Sequence, residues 1–230
     1  MKYLGVIPAR AGSKRLPNKN VLPFCGKPLW QWTYLAAFGV LDRIVITTDC
    51  QEILDFSQNL QFLGSKSVIL HRPRELCGDD VPSWPVVRHA ALAAKHHFGD
   101  DDPEGVILLQ PTSPLRTSAD IKEAIEVFEA EAVGYTQSPS LTTLVARDGD
   151  FWLASDRTMV PIYRQNGAIY IVTMNRLYQE LGQFVDHDTK GYEMPAEHSI
   201  DIDTEEDFRR AERLMVERDT SPPKDWFTGG

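Results

Sequence analysis

The sequence predicts an α/β fold, a mostly parallel sheet with helices packed on both faces. Short β-branched runs alternate with helix-length segments from residue 3 to residue 130, the pattern that βαβ crossovers leave in a chain. The 230 residues are 42% hydrophobic and 25% charged, a globular balance far from that of disordered chains and long enough for one large core. A third observation concerns function: residues 1–41 hold six Lys or Arg and no Asp or Glu.

Each element has its own warrant. YLGVIP, residues 3–8, is an apolar run ending in proline, as a buried parallel strand feeding a loop should be. The loop runs over 9–20, and CGKP at 25–28 reads as a turn. LWQWTYLAAF, 29–38, lacks interior Gly and Pro and predicts a helix on the sheet. RIVITTD at 43–49 predicts a second strand, and helices over 51–62, 83–98 and 118–130 alternate with strands at 67–70 and 105–109. From residue 132 the pattern changes to AVGYTQS, TTLVAR, DGDFWLA and NGAIYIVT, strands joined by short turns and read as an α+β insertion into a single domain spanning 1–230. A strand, a turn and a helix follow at 199–218, before a frayed tail.

Charge and cysteine content exclude several classes. The net charge is −9, which opposes binding to nucleic acid or to anionic membranes. No apolar run approaches the ~20 residues of a bilayer span, and no cleavable leader follows Met1, so a cytoplasmic protein is expected. Cys25, Cys50 and Cys77 show neither CxxC spacing nor a paired His motif, so neither a disulfide framework nor a zinc site is indicated. Outside residues 1–41 the balance is 18 basic against 33 acidic residues. The positive charge is therefore local.

That charge sits in PARAGSKRLPNKN, residues 8–20. The segment lacks both GxGxxG and GxxxxGK[ST], so neither a dinucleotide fingerprint nor a Walker loop is present. Gly12 admits close approach of an anion, Ser13 offers a neutral donor, and Arg10, Lys14, Arg15 and Lys19 offer charged ones. Such a loop suits a triphosphate, with a basic helix-capping turn as the plainer reading. In SIDIDTEEDF, 199–208, an extended backbone puts Asp201 and Asp203 on one face and Ile200 and Ile202 on the other. Two carboxylates on one face suit Mg²⁺, whereas Thr204 followed by Asp207 is a helix-start pattern, and both readings stand for Asp203. LLQPTSPLRTSAD, 108–120, presents Gln110, Thr112, Ser113 and Arg116 at a strand end, and Thr117 or Ser118 caps the next helix. In YRQNGAIYI, 163–171, Asn166 and Gly167 read as a hairpin turn, with Arg164 and Asn166 within reach of a ligand.

IPARAGSKRLPNKN, HRPREL, LLQPTSPLRT, RQNGAIYI and SIDIDTEEDF, in this order, resemble the acylneuraminate cytidylyltransferases across residues 4–215. The resemblance implies a three-layer, Rossmann-like nucleotidyltransferase fold with an α+β insertion at about 138–195 that forms a homodimer arm. It implies Mg²⁺ as cofactor and transfer of CMP from CTP to a carboxylated nine-carbon 2-keto sugar, with release of pyrophosphate. Arg10, Ser13, Lys14, Lys19 and Asn20 then match the nucleotide loop, and Arg72 and Ser83 match the cytidine contacts. Gln110, Thr112, Ser113, Arg157, Arg164, Asn166 and Tyr170 match the sugar side. Asp201 and Asp203 match the metal pair and, with Arg10 and Lys19, the catalytic set. Arg15 departs from the Gly of many sialate enzymes and is similar to ketodeoxyoctonate and pseudaminate members. The alternatives are therefore CMP activation of one of those sugars, another nucleotide with a sugar phosphate, or a nucleotide-binding module without turnover.

Overall fold

In the computed structural model, which describes residues 2–58, 65–99, 102–132, 140–146, 151–152, 159–160, 163–179, 182–186 and 189–220, the first apolar run is β1 (Tyr3–Pro8), with Tyr3 to Ile7 all buried. β2 (Pro23–Phe24), β3 (Lys27–Pro28), α1 (Leu29–Phe38), β4 (Arg43–Thr48), α2 (Gln51–Asp55), β5 (Ser67–His71), α3 (Ser83–Phe98), β6 (Gly105–Leu109) and α4 (Ser118–Ala132) follow. The remainder holds β7 (Ser140–Ala146), β8 (Phe151–Trp152), β9 (Met159–Val160), β10 (Tyr163–Thr173), α5 (Met174–Tyr178), β11 (Lys190–Glu193) and α6 (Glu205–Thr220).

Seven strands form the main sheet in the order β11-β7-β10-β6-β1-β4-β5. β1 pairs in parallel with β4 and β6, and β5 in parallel with β4. β10 alone runs against its neighbours β6 and β7, and β11 lies parallel to β7. Side chains alternate across the sheet because successive Cβ atoms point to opposite faces. Ile7, Ile44 and Ile46 meet Trp30 and Tyr34 of α1 and Ile121 of α4 on one face. Leu4, Val6 and Val45 meet Trp84, Val87, Ala90 and Ala94 of α3 on the other. Burying a side chain of this size contributes about 1.5–3 kcal/mol, so the three-layer arrangement follows from the apolar runs themselves. A separate cluster of Phe24, Leu29, Leu115, Ile202, Ala211 and Met215 docks α6 against the β2–β3 hairpin and the turn after β6. It carries the end of the chain back to its beginning.

The CGKP turn is a two-residue hairpin loop in which Cys25 (φ 44°) and Gly26 (φ 82°) both lie at positive φ, the twist that matches flanking strands. α4 is capped by Thr117 rather than Ser118. Thr117 N–H donates to Asp120 at 2.7 Å and Asp120 N–H donates back to the Thr117 hydroxyl at 3.2 Å, while the Ser118 hydroxyl donates to Ala36 O at 2.8 Å. α6 starts in the same way, with reciprocal bonds between Thr204 and Asp207 at 2.9 and 3.2 Å.

Three expectations change. Residues 199–203 form no strand. Their alternation survives, with Ile202 fully buried, because one bond from Ile202 N–H to Thr112 O (2.8 Å) ties the segment to the turn after β6. Asn166 and Gly167 do not turn a hairpin; β10 continues through them, and its register against β7 shifts between Gln165 and Tyr170, as a bulge does. The helix expected over 51–62 is α2 plus a 3-10 turn at Phe56–Gln58, with 59–64 outside the described residues. AVGYTQS beyond Ala132 and the tail from 221 onward also lie outside them. Of the stretch 138–195, β7, β10 and β11 belong to the main sheet.

Arg116 joins these parts. Its side chain is fully buried and donates to Gln110 O (3.2 Å), Ala168 O (2.6 Å) and the Thr33 hydroxyl (2.7 Å). It thus ties the ends of β6 and β10 to α1. Burial pushes its pKa down to about 9 against the pull of Asp120, and it stays protonated at neutral pH. Arg116→Met leaves the Ala168 carbonyl without that donor, and the expected destabilisation is about 3 kcal/mol, read as a lowered urea midpoint. A loss under ~1 kcal/mol would show that the guanidinium is dispensable.

Candidate active site

Loops from the carboxyl ends of β1, β5 and β6 converge at one edge of the sheet, where ligands bind in open α/β folds. They enclose a cleft of about 350 Å³. Arg10, Ser13, Lys14, Lys19 and Asn20 from the first loop, Arg72 and Ser83 from the segment after β5, and Gln110 and Thr112 from the turn after β6 all line it. Asp203 lines it too. Ten of the residues expected from sequence are thereby gathered around one space.

The first loop is held from behind. Ala11 N–H donates to Asp49 Oδ1 at 2.7 Å, the Thr48 hydroxyl donates to Ala9 O, and Asn20 Nδ2 donates to Arg10 O at 2.9 Å. Gly12 sits at φ +58° with open space where a Cβ would be, so the backbone reverses there and leaves room beside it. Asn20 is therefore a brace for the loop as well as part of the wall. Arg72 is 3% exposed, its Nη2 donates to Thr47 O at 2.8 Å, and its Nε has no hydrogen-bond partner among the described residues. Burial lowers its pKa while Asp49 raises it.

Lys19 connects the two halves of the site. Its ammonium, on a side chain 9% exposed, donates to Ile202 O and lies 3.3 Å from Asp203 Oδ1. Arg15 reaches the other oxygen of Asp203 at 2.9 Å. Asp201 lies off the cleft wall. Although the residue is exposed on one side, the protein crowds its carboxyl, and desolvation pushes its pKa up, with Asp203 and Asp207 adding repulsion against the help of Thr112 and Lys19. No three His, Cys, Asp or Glu side chains gather into a metal-sized cluster among the described residues. The donor set fits Mg²⁺, which takes one or two carboxylates and completes its shell with phosphate oxygens and water.

Other expected contacts lie elsewhere. Asn166 is 4% exposed and committed to the protein: it accepts from the Thr143 hydroxyl (2.5 Å) and Ala168 N–H (3.0 Å) and donates to the Ser199 hydroxyl (3.0 Å). Ser113 is buried and Arg164 is exposed, neither on the cleft wall. Tyr170 is half-buried off the cleft wall, its ring 5.5 Å from that of Phe184, and desolvation raises its pKa with a further push from Asp201. Arg157 lies outside the described residues. Gly167, at φ +75°, sits where a Cβ would meet Gln110 Oε1 at 3.0 Å, so glycine there lets the Gln110 amide lie against β10.

Sequence reasoning missed Asp49, Asp79 and Asp80. The last two line the cleft and face its cations. The signal was present in CGDDVP, residues 77–82, an acidic turn between a strand and a helix at the edge where the other loops meet.

The mostly parallel sheet, with a cationic loop at its carboxyl edge and Asp203 facing that loop, defines an α/β protein with one strongly charged cleft. The chain belongs to the cytidylyltransferase family, whose family model matches residues 4–221. It is 34% identical over 227 residues to the N-acylneuraminate cytidylyltransferase of Streptococcus agalactiae serotype V, covering 90% of this chain and 52% of that protein. It therefore spans about half the length of that relative. The CMP-N,N'-diacetyllegionaminic acid synthase of Legionella pneumophila is 34% identical over 233 residues, 94% of this chain and 97% of the relative. Among solved structures, CMP:2-keto-3-deoxy-manno-octonic acid synthetase complexed with CTP superposes with a TM-score of 0.68 at 17% identity, over 95% of this chain and 100% of that one.

One ion pair supports the loop that carries Asp201. His198 Nδ1 lies 3.0 Å from Asp120 Oδ2, and the bond to Asp120 raises the His198 pKa above 6.5 despite burial, with Glu197 helping and Arg218 opposing. A raised histidine pKa contributes stability that is complete below pH 6.5 and fades as pH climbs through the folded value. Asp120 is held below 3.8, since bonds from His198 and Thr117 outweigh its burial, so its share fades only in acid. His198→Gln should flatten the decline in urea midpoint above pH 6.5; an unchanged slope would remove the pair from the account.

Proposed function

We propose that the chain transfers CMP from CTP to the anomeric 2-hydroxyl of a nine-carbon 2-keto acid sugar of the N-acylneuraminate or legionaminate type. The hydroxyl oxygen attacks the α-phosphorus and gives up its proton to water, the bond to the bridging oxygen breaks, and pyrophosphate leaves with that electron pair. The observation that carries this reading is Lys19, which places the cationic loop and Asp203 on one cleft. A nucleotide in that cleft has Arg10, Lys14 and Lys19 for its phosphates and Gln110 and Thr112 near its acceptor.

Phosphoryl transfer gains most from positioning and from charges set in place before the reaction, and the bonds to Asp49, Asn20 and Thr48 supply that fixity here. Asp201 and Asp203 would hold Mg²⁺, which when bound neutralises phosphate charge. Legionaminate stands beside neuraminate because the synthase of Legionella pneumophila is matched over nearly its whole length.

Incubation with CTP, Mg²⁺ and a panel of nonulosonic acids, followed by mass spectrometry and a pyrophosphate assay, tests the reaction. The expected product is a CMP-linked sugar, with turnover lowered roughly 10²-fold by Lys19→Ala in protein whose circular dichroism is unchanged. Pyrophosphate no higher than in the Lys19→Ala control, across the whole panel, would sink the proposal.

A further inference from the structure

The cations offered to a phosphate ligand already have partners in the free protein. Arg10 is ion-paired with Asp79 Oδ1, and Lys14 Nζ stands 3.4 Å from Asp79 Oδ2 and 3.9 Å from Asp80 Oδ1. Asp79 thus spends one oxygen on each cation, as two oxygens of a phosphate would. Its side chain is 25% exposed within the cleft, while that of Asp80 is fully exposed. Burial favours the neutral acid of Asp79, but Arg10 and Lys14 outweigh it and hold the carboxyl below the usual range. At neutral pH it is an anion.

We infer that Asp79 sets the affinity of the cleft for anions, an internal anion seated on Arg10 and Lys14 that every phosphate ligand must displace. The inference rests on the phosphate reading of the first loop but not on CMP transfer. A site that is open only part of the time binds each ligand more weakly by the inverse of the open fraction. The factor is the same for every anion that uses these two cations. Small, weakly held anions such as inorganic phosphate then fall below useful affinity, whereas a polyphosphate, with contacts to spare at Lys19 and Ser13, remains bound. The built-in competitor raises the affinity a ligand needs in order to occupy the cleft. The same carboxylate returns to Arg10 and Lys14 when pyrophosphate departs, and so favours its release.

Part-exposed ion pairs are individually modest, so the two together set an expected effect of about three- to tenfold. Isothermal titration of inorganic pyrophosphate in EDTA into the full chain measures it without metal or turnover. Asp79→Asn should bind pyrophosphate about three- to tenfold more tightly than the parent chain, Asp79→Glu should stay near the parent, and Asp80→Asn should change affinity by less than about twofold. A purely structural role for Asp79 would weaken binding on substitution, so equal or weaker affinity in Asp79→Asn overturns the inference. Should Asp79→Asn fail to fold by circular dichroism, Asp79→Ser is judged by the same rule. Pyrophosphate that binds no variant overturns both this inference and the phosphate reading. Tight binding without CMP transfer overturns only the proposed reaction.

Discussion

The site depends on one buried ammonium. Lys19 lies in a loop next to β1 yet finds its partners, Ile202 O and Asp203, at the other end of the chain. An ammonium removed from water costs several kcal/mol unless charge and hydrogen bonds compensate, and here they come from a segment that has no strand of its own. That segment is held in turn by Ile202, whose N–H binds Thr112 O and whose side chain fills the cluster under α6. The first loop, the turn after β6 and the start of α6 therefore stand or fall together. A cleft lined by all three is preorganised because the same contacts that fold it also place its charges.

The local charge balance explains how so cationic a loop is tolerated. Arg10 and Lys14 face Asp79, and Arg15 and Lys19 share Asp203. Four cations within ten residues would repel one another in an empty cleft, and the surrounding acids offset that repulsion without neutralising the groups by burial. The arrangement leaves the charges close to water and exchangeable, apart from Lys19, whose side chain is almost wholly enclosed. Lys19 belongs to the scaffold as much as to the ligand, whereas Arg10 and Lys14 are free to change partners.

The parallel strands and the Thr204-x-x-Asp207 helix start were legible in the sequence because their physics is local. A strand buried on both faces needs an unbroken apolar run, and a cap needs its acid three residues on. The basic loop was legible for the same reason, since its cations are neighbours in the chain. Asn166 was not. Beside Gly167 it looks like a surface turn, but its amide serves Thr143 and Ser199, 23 and 33 positions away, and no local pattern records such partners. Asp79 escaped because its importance arises only when the loop after β5 meets the loop after β1. Asp201 and Asp203 part company because the segment that holds them is irregular rather than a strand: Asp203 lines the cleft and Asp201 does not.

The single reversed strand gives the cleft its second half. Because β10 runs against β6, with Ile169 opposite Leu109, the start of β10 projects past the same edge at which the parallel strands end. Gln110 can then lie against Gly167, and Arg116 can bind the carbonyls of Gln110 and Ala168 at once. A parallel strand in that place would deliver its other end and leave the turn after β6 without a wall. The parallel strands therefore supply loops for the phosphates, while the reversed strand buttresses the side that faces the proposed acceptor. Changes along β10 and β7 can alter the acceptor side while the bonds that hold the first loop, to Asp49, Thr48 and Asn20, stay as they are.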